Sequence, residues 1–484
     1  MRFRSAVRRP WRFKCAPTLA VVVCGAPAGA LAHTSENAIV LTLPSDLYIL
    51  GGSLVVGLSF LLVSLVGTRP FARLGNLAWP LGRLPAGGAT LLSLASFAAL
   101  LALIAAGLRG TPDPLANPLP LSVWTLFWVG LTIAHLIFGN LWAALNPWRG
   151  PFALLGRLPG LRHWAGGPPL RYPQGLGYWP AVAVFLGFAW FELVYVAPQD
   201  PAILARVVGA YYLANLVGLL LFGEAAWLRH CEIFSVYFRI VSWMAPLQGR
   251  PKGDGSRRLF LTLPGLGLLR ASALPLSGVA FVIAMLSSVS FDGLSLTFRW
   301  LGLIGVNPLD FPGRSAVLLP NSLGLLGTFA ALLACYLATV WLGHRLAGRP
   351  VPLAEAIGGY ALSVAPIAFG YHLAHYLTIF LVDVQYAAIA FNDPFGYGWD
   401  LFGLAHAHVT ASFLADFHSV RLIWHAQVAI IVVAHVVAVA IAHIIALHQT
   451  PRRATAVISQ IPMTVLMICY TLFGLWLLSA PVAG

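Results

Sequence analysis

Apolar runs long enough to cross the roughly 30 Å hydrocarbon core of a bilayer recur from one end of this chain to the other, and no other feature restricts its fold as strongly. They fall near 46–67, 87–107, 118–145, 177–197, 203–226, 272–291, 320–343, 357–386, 422–447 and 461–480. With 59% hydrophobic and 9% charged side chains over 484 residues, the chain has too little polar surface to cover a soluble globule. The expected fold is therefore all-α: a polytopic transmembrane bundle of about ten spans, forming a single domain over 33–484. A lipid bilayer is its first partner.

The formal charge of +14 suggests nucleic acid only until the basic residues are placed. They sit in short loops between apolar runs, not along one face, so no nucleic-acid partner is expected. Six of them, Arg2, Arg4, Arg8, Arg9, Arg12 and Lys14, precede the apolar stretch CAPTLAVVVCGAPAGALA, which ends in Ala30-Leu31-Ala32. This pattern predicts a signal peptide over 1–32 and a mature chain starting at His33. From that start, every odd connection is basic: Arg69, Arg73 and Arg83; Arg149, Arg157, Arg162 and Arg171; the run from Arg229 to Arg270; Arg345 and Arg349; Arg452 and Arg453. The acidic residues Asp113, Asp200, Asp310, Asp393, Asp400 and Asp416 fall in even connections. The positive-inside rule then puts both mature termini and the loop 387–420 in the periplasm of an inner-membrane protein. Five scattered cysteines form neither a disulfide framework nor CxxC spacing.

Ionisable side chains inside spans cost about 3 kcal/mol each on insertion scales and mark functional sites or buried pairs. The eighth run, YHLAHYLTIFLVDVQY, places His372 and His375 on one helical face, with Asp383 almost three turns beyond His372. His435 in the ninth run and His135 in the third lie at similar depth, while Glu192 and Asp292 lie near the outer ends of the fourth and sixth. Imidazoles on facing helices with a carboxylate suit a divalent transition metal such as zinc or copper. Haem ligation and plain interhelical hydrogen bonding are alternatives. His33 would offer a metal both an amine and a ring once freed at the N-terminus. The long connection carrying Asp393, Asp400, His406, His408, Asp416 and His418 is expected to act as a lid. Glu224 and Glu232 at a helix end suggest ion pairing and orientation. There is no Gly-rich phosphate loop, GxSxG elbow or HExxH, which removes the usual sequence support for ATP-driven transport and serine hydrolysis.

The segments LTLPSDLYILGGSLVVGLSF, NLWAALNPWRG, SFDGL, YHLAHYLTIF, DPFGYGWDLFG and SQIPMTVLMICYTLFGLWLLSAP, in that order, resemble the bacterial membrane proteins called fenitrothion hydrolases. The resemblance implies an inner-membrane enzyme that hydrolyses an organophosphorus triester, a small-molecule substrate, and releases a phenol. The matching positions are His372, His375, Asp393, Trp399, Asp400 and Asp292, whereas His33 to Asn37 depart from the family pattern. On this reading His372, His375 and His435 would hold a metal whose water attacks phosphorus, with Asp383 or Asp393 as a further ligand or base. The competing reading is a membrane metal-handling or transport protein with a midplane histidine site.

Overall fold

The computed structural model describes residues 44–65, 77–84, 88–156, 167–251, 256–311, 313–450 and 452–483. The expected leader, 1–32, and His33 lie outside them. Nine helices among these residues are long and apolar enough to cross a membrane. They are α1 (Ser45–Ser64), α2 (Gly88–Arg109), α3 (Pro118–Phe138), α5 (Pro201–Phe222), α8 (Leu276–Ser295), α9 (Leu318–Leu346), α10 (Leu353–Asn392), α11 (Phe417–Gln449) and α12 (Arg453–Ser479). The expected fourth span is instead α4 (Trp179–Leu193), of 15 residues. At 1.5 Å per residue it is about 22 Å long, short of a full crossing. Two further helices, α6 (Glu224–His230) and α7 (Ile233–Ser242), connect α5 to the next segment.

The all-α fold expected from sequence holds, with one small sheet beside the helices. Strands β1 (Ala78–Leu84), β2 (Leu247–Pro251) and β3 (Arg257–Thr262) form an antiparallel sheet in the order β1-β3-β2. It joins the α1–α2 and α7–α8 connections, with a bulge between Pro80 and Gly82. Four of the arginines expected to fix topology, Arg83, Arg250, Arg257 and Arg258, lie on it, and the Arg250 guanidinium stacks 4.3 Å from the Phe260 ring centre.

Helix α8 is the hub, buried over nearly its whole length. It packs against α4, α9 and α10, while α11 packs on α10 and α12 packs on α1, α9 and α11. The leucines of α1, such as Leu58, Leu61 and Leu62, remain exposed, as apolar side chains facing lipid would be. Close helix contact depends on small residues. Gly370 of α10 lies so near Ala434 of α11 that a Cβ would collide with it, and Gly293 leaves room for the Tyr371 hydroxyl 2.7 Å from where a Cβ would stand.

One element departs from regular α geometry where it approaches the polar interior. Within α3, Leu121–Leu131 is wound as a π-helix, a form often found at functional sites. Pro366 lies inside α10, six residues before His372. Helix α10 continues to Asn392, so the long connection is shorter than 387–420 and ends where Asp416 caps α11.

Candidate functional site: a buried acid–base string

The histidines and acids sort into two groups, those that meet and those that do not. At the C-terminal ends of α4 and α8, Glu192 and Asp292 face the middle of α10. There the Tyr376 hydroxyl lies 2.9 Å from Glu192 Oε1 and 2.6 Å from Asp292 Oδ2. The same Asp292 oxygen is 2.9 Å from His375 Nε2. Four side chains from three helices thus form one string: Glu192, Tyr376, Asp292, His375.

Hydrogen counting constrains how the string is charged. A tyrosine hydroxyl carries one proton, so both short contacts are hydrogen bonds only when one carboxyl is itself protonated. Asp292 Oδ2 already accepts from His375 Nε2–H. The arrangement that satisfies every contact has Tyr376 donating to Asp292 and a neutral Glu192 donating to Tyr376. Opposite this string, Arg314 donates from Nη1 to the carbonyls of Glu192 at 2.8 Å and Tyr195 at 3.2 Å. Its charge thereby stands at the C-terminal, negative end of the α4 dipole.

The string is deep in the bundle but not sealed. The His375 and Asp292 side chains keep 22% and 20% of their surface accessible, which is room for a water molecule or a reacting group. Trp128 forms its wall. The indole packs edge-on against His372 and Phe188, with ring centres 4.8 and 4.9 Å away. Its N–H makes no well-aligned hydrogen bond but faces Glu192 and Tyr376. On the far side of Phe188 lies a cavity of about 660 Å³ among α2, α3, α4, α5 and α7. Its lining is almost wholly apolar and rich in rings, including Trp124, Phe127, Trp142 and Phe191. Two lining hydroxyls, Ser122 and Tyr212, are buried without a hydrogen-bond partner among the described residues.

The remaining expected site residues are scattered. His372 points away from His375, its Nε2 donating to the Trp128 carbonyl at 3.2 Å. His435 turns toward α12, where its ring lies 6.2 Å from Tyr470; its Nδ1 bonds the Ile431 carbonyl and its Nε2 is buried without a partner among the described residues. His135 has both nitrogens engaged, Nδ1 with the Leu131 carbonyl and Nε2 with the Trp142 N–H, and its ring stacks on Phe238. That pairing makes it a structural residue. Asp383 is eight residues beyond His375 on α10, about 12 Å along the axis and out of reach of a shared ion. Among the described residues, no three of His, Cys, Asp or Glu are grouped to hold a metal. The ligand set expected from spacing, His372 with His375 and His435, is therefore not assembled.

The loop acids hold the loop together. Asp393 accepts from the N–H groups of Tyr397 and Gly398 at 2.9 and 2.7 Å. Asp400 accepts from the Asn392 amide at 2.8 Å and from Ala405 N–H at 3.1 Å. The loop leaves α10 after Asn392 and folds back along it: Gln385 bonds Thr410 in both directions, and Leu414 packs with Val382 of α10 and Ile423 of α11. Elsewhere, Glu224 pairs with Arg149 at 3.0 Å, and Glu232 caps α7 while accepting from Tyr211 and Trp142.

Tyr376, Trp128 and Arg314 carried no functional expectation from sequence. Tyr376 immediately follows His375 and lies four residues after His372, which is the only local signal for it. The fold and site together define a helical bundle, with nine helices among the described residues able to span a membrane, around a partly open acid–base string. Comparison with known proteins finds no matching family model, curated protein or solved structure.

Proposed function

We propose that this chain is an inner-membrane hydrolase of apolar, aryl-bearing esters, organophosphorus triesters among them, and that Glu192, Tyr376, Asp292 and His375 are its acid–base unit. The observation that carries this reading is the Asp292–His375 contact, extended through Tyr376 to Glu192 in a site that is still accessible. A carboxylate that orients an imidazole fixes its tautomer and stabilises its charged form, which suits the ring to take a proton from water. His375 would remove that proton, the hydroxide would form a bond to phosphorus, and the bond from phosphorus to the aryloxy oxygen would break. The phenolate then leaves and recovers a proton from the string. The ring-lined cavity beyond Trp128 and Phe188 is of a size and character to admit the aryl group from the lipid phase.

The charge pattern supports an orientation in which the open end of the string faces the periplasm, since the sheet and its arginines lie on the opposite connections. The rival reading, a metal-handling or transport protein, would use the same string as a proton relay.

Phenol release from an aryl phosphotriester by purified protein in liposomes, with internal pH recorded, distinguishes them. Turnover without net proton passage across the membrane, lost in His375→Asn, is the expected result. Proton or metal-ion flux without phenol release would replace hydrolysis with transport.

A further inference from the structure

A second cavity, of about 500 Å³, lies at the opposite end of the bundle from Glu192 and Asp292, and nothing in the proposed reaction uses it. It is lined by Arg229, His230 and Arg239 of α6 and α7, by Tyr178 before α4, and by the 271–275 segment that leads into α8. No carboxylate is among its lining residues. The two acids on the adjoining helices are committed elsewhere, Glu224 to Arg149 and Glu232 to the N-terminus of α7. Among the described residues, neither guanidinium facing this cavity has a carboxylate within ion-pair distance.

The geometry holds these groups in place. Arg239 donates to the Arg229 carbonyl at 2.8 Å and stacks over Tyr178, with 5.9 Å to the ring centre. Tyr178 and Tyr172 pack on His230, with ring centres 5.2 and 5.3 Å away. On the other wall, the N–H groups of Ser272 and Ala273 make no hydrogen bond among the described residues, and α8 begins after Pro275 with no side-chain cap. Guanidinium groups present paired donors that match phosphate oxygens, and unpaired backbone N–H groups add to the same preference.

We infer that this cavity binds a phosphate group, supplied by the headgroup of an anionic phospholipid at the basic face of the membrane. Its position suits that source: it lies where α5 ends and α8 begins, on the end of the bundle that carries the arginine-bearing sheet. Basic pockets between membrane helices on that side select anionic headgroups. A soluble phosphate ester would satisfy the same donors.

The test is thermal unfolding of the full chain in nanodiscs of phosphatidylcholine alone or mixed with phosphatidylglycerol. Wild type should unfold at a higher temperature in the mixed discs, and Arg229→Gln/Arg239→Gln should lose that shift. Arg250→Gln/Arg258→Gln, which removes similar charge from the sheet, should retain it. Because Arg239 packs on Tyr178, the exposed Arg229→Gln single variant serves if the double variant does not fold, and it should lose most of the shift. Inorganic phosphate added to phosphatidylcholine discs separates the sources. A shift with phosphate, absent in the variants, supports the same site with a soluble ligand. An undiminished shift in the cavity variants, or no shift with either ligand in wild type, would overturn the inference.

Discussion

Tyr376 is the residue on which the site turns, because its single hydroxyl lies within hydrogen-bond distance of two carboxyls on different helices. Tyr376→Phe keeps the ring packed against His372 and His375 but leaves Glu192 and Asp292 without their shared partner. Loss of a buried partner costs about 1–3 kcal/mol, and loss of a positioned acid–base group lowers turnover by about 10²–10⁴-fold. Denaturation and phenol-release assays on one preparation should show both effects; unchanged turnover would remove Tyr376 from the string. Sequence made much of this scale legible. It singled out Glu192, Asp292 and His375 because charges inside apolar runs are costly, but it read His372 and His435 as partners of His375. Spacing along one helix fixes only which face a ring occupies. His372 turns to the α3 carbonyl and His435 to α12 because of neighbours that no single helix specifies.

At the scale of elements, the loop between α10 and α11 has a defined pH response. Hydrogen bonds from the Asn392 amide and the N–H groups of Ala405 and Leu404 hold the Asp400 carboxyl below the usual carboxylate range. Desolvation pushes the Asp393 carboxyl up, but N–H groups from Gly398, Tyr397, Trp399 and Gly396 outweigh it and bring the pKa down. Groups with lowered pKa stabilise the fold above their unfolded value and lose that contribution as pH falls through the folded one. Protection of the Tyr397, Gly398 and Ala405 amides, taken relative to the intrinsic exchange rate at each pH, should therefore be present at neutral pH and fall as the pH drops below about 4. Protection that stays constant through acidification would mean these carboxylates do not order the loop. The lid expected from sequence reflected the loop's length and histidines; the loop packs back on α10 at Val382 and on α11 at Ile423, a placement that spacing alone does not give. The π-helical turn of α3 and the three-stranded sheet gave no periodic signal, since the former hides in an apolar run and the latter joins connections distant in sequence.

For the whole molecule, hydrophobic runs and loop charges made the membrane-crossing helices legible, and only α4 fell short. Its 15 residues and the 194–200 turn replace a full span, so Glu192 ends within the bundle. Orientation is open to direct measurement. A cysteine placed at Ser412, in the loop before α11, should react with a membrane-impermeant maleimide in intact cells, whereas one at Gln248 on β2 should react only after lysis. The reverse pattern would invert the bundle and open the string toward the cytoplasm. Infrared spectroscopy of the purified protein addresses the shared proton itself. A neutral carboxylic acid band at neutral pH should vanish in Glu192→Gln and move in Tyr376→Phe as its hydrogen bond is lost. The same band, unshifted, in wild type and both variants would show that Glu192 does not hold that proton and would contradict the string as an acid–base unit.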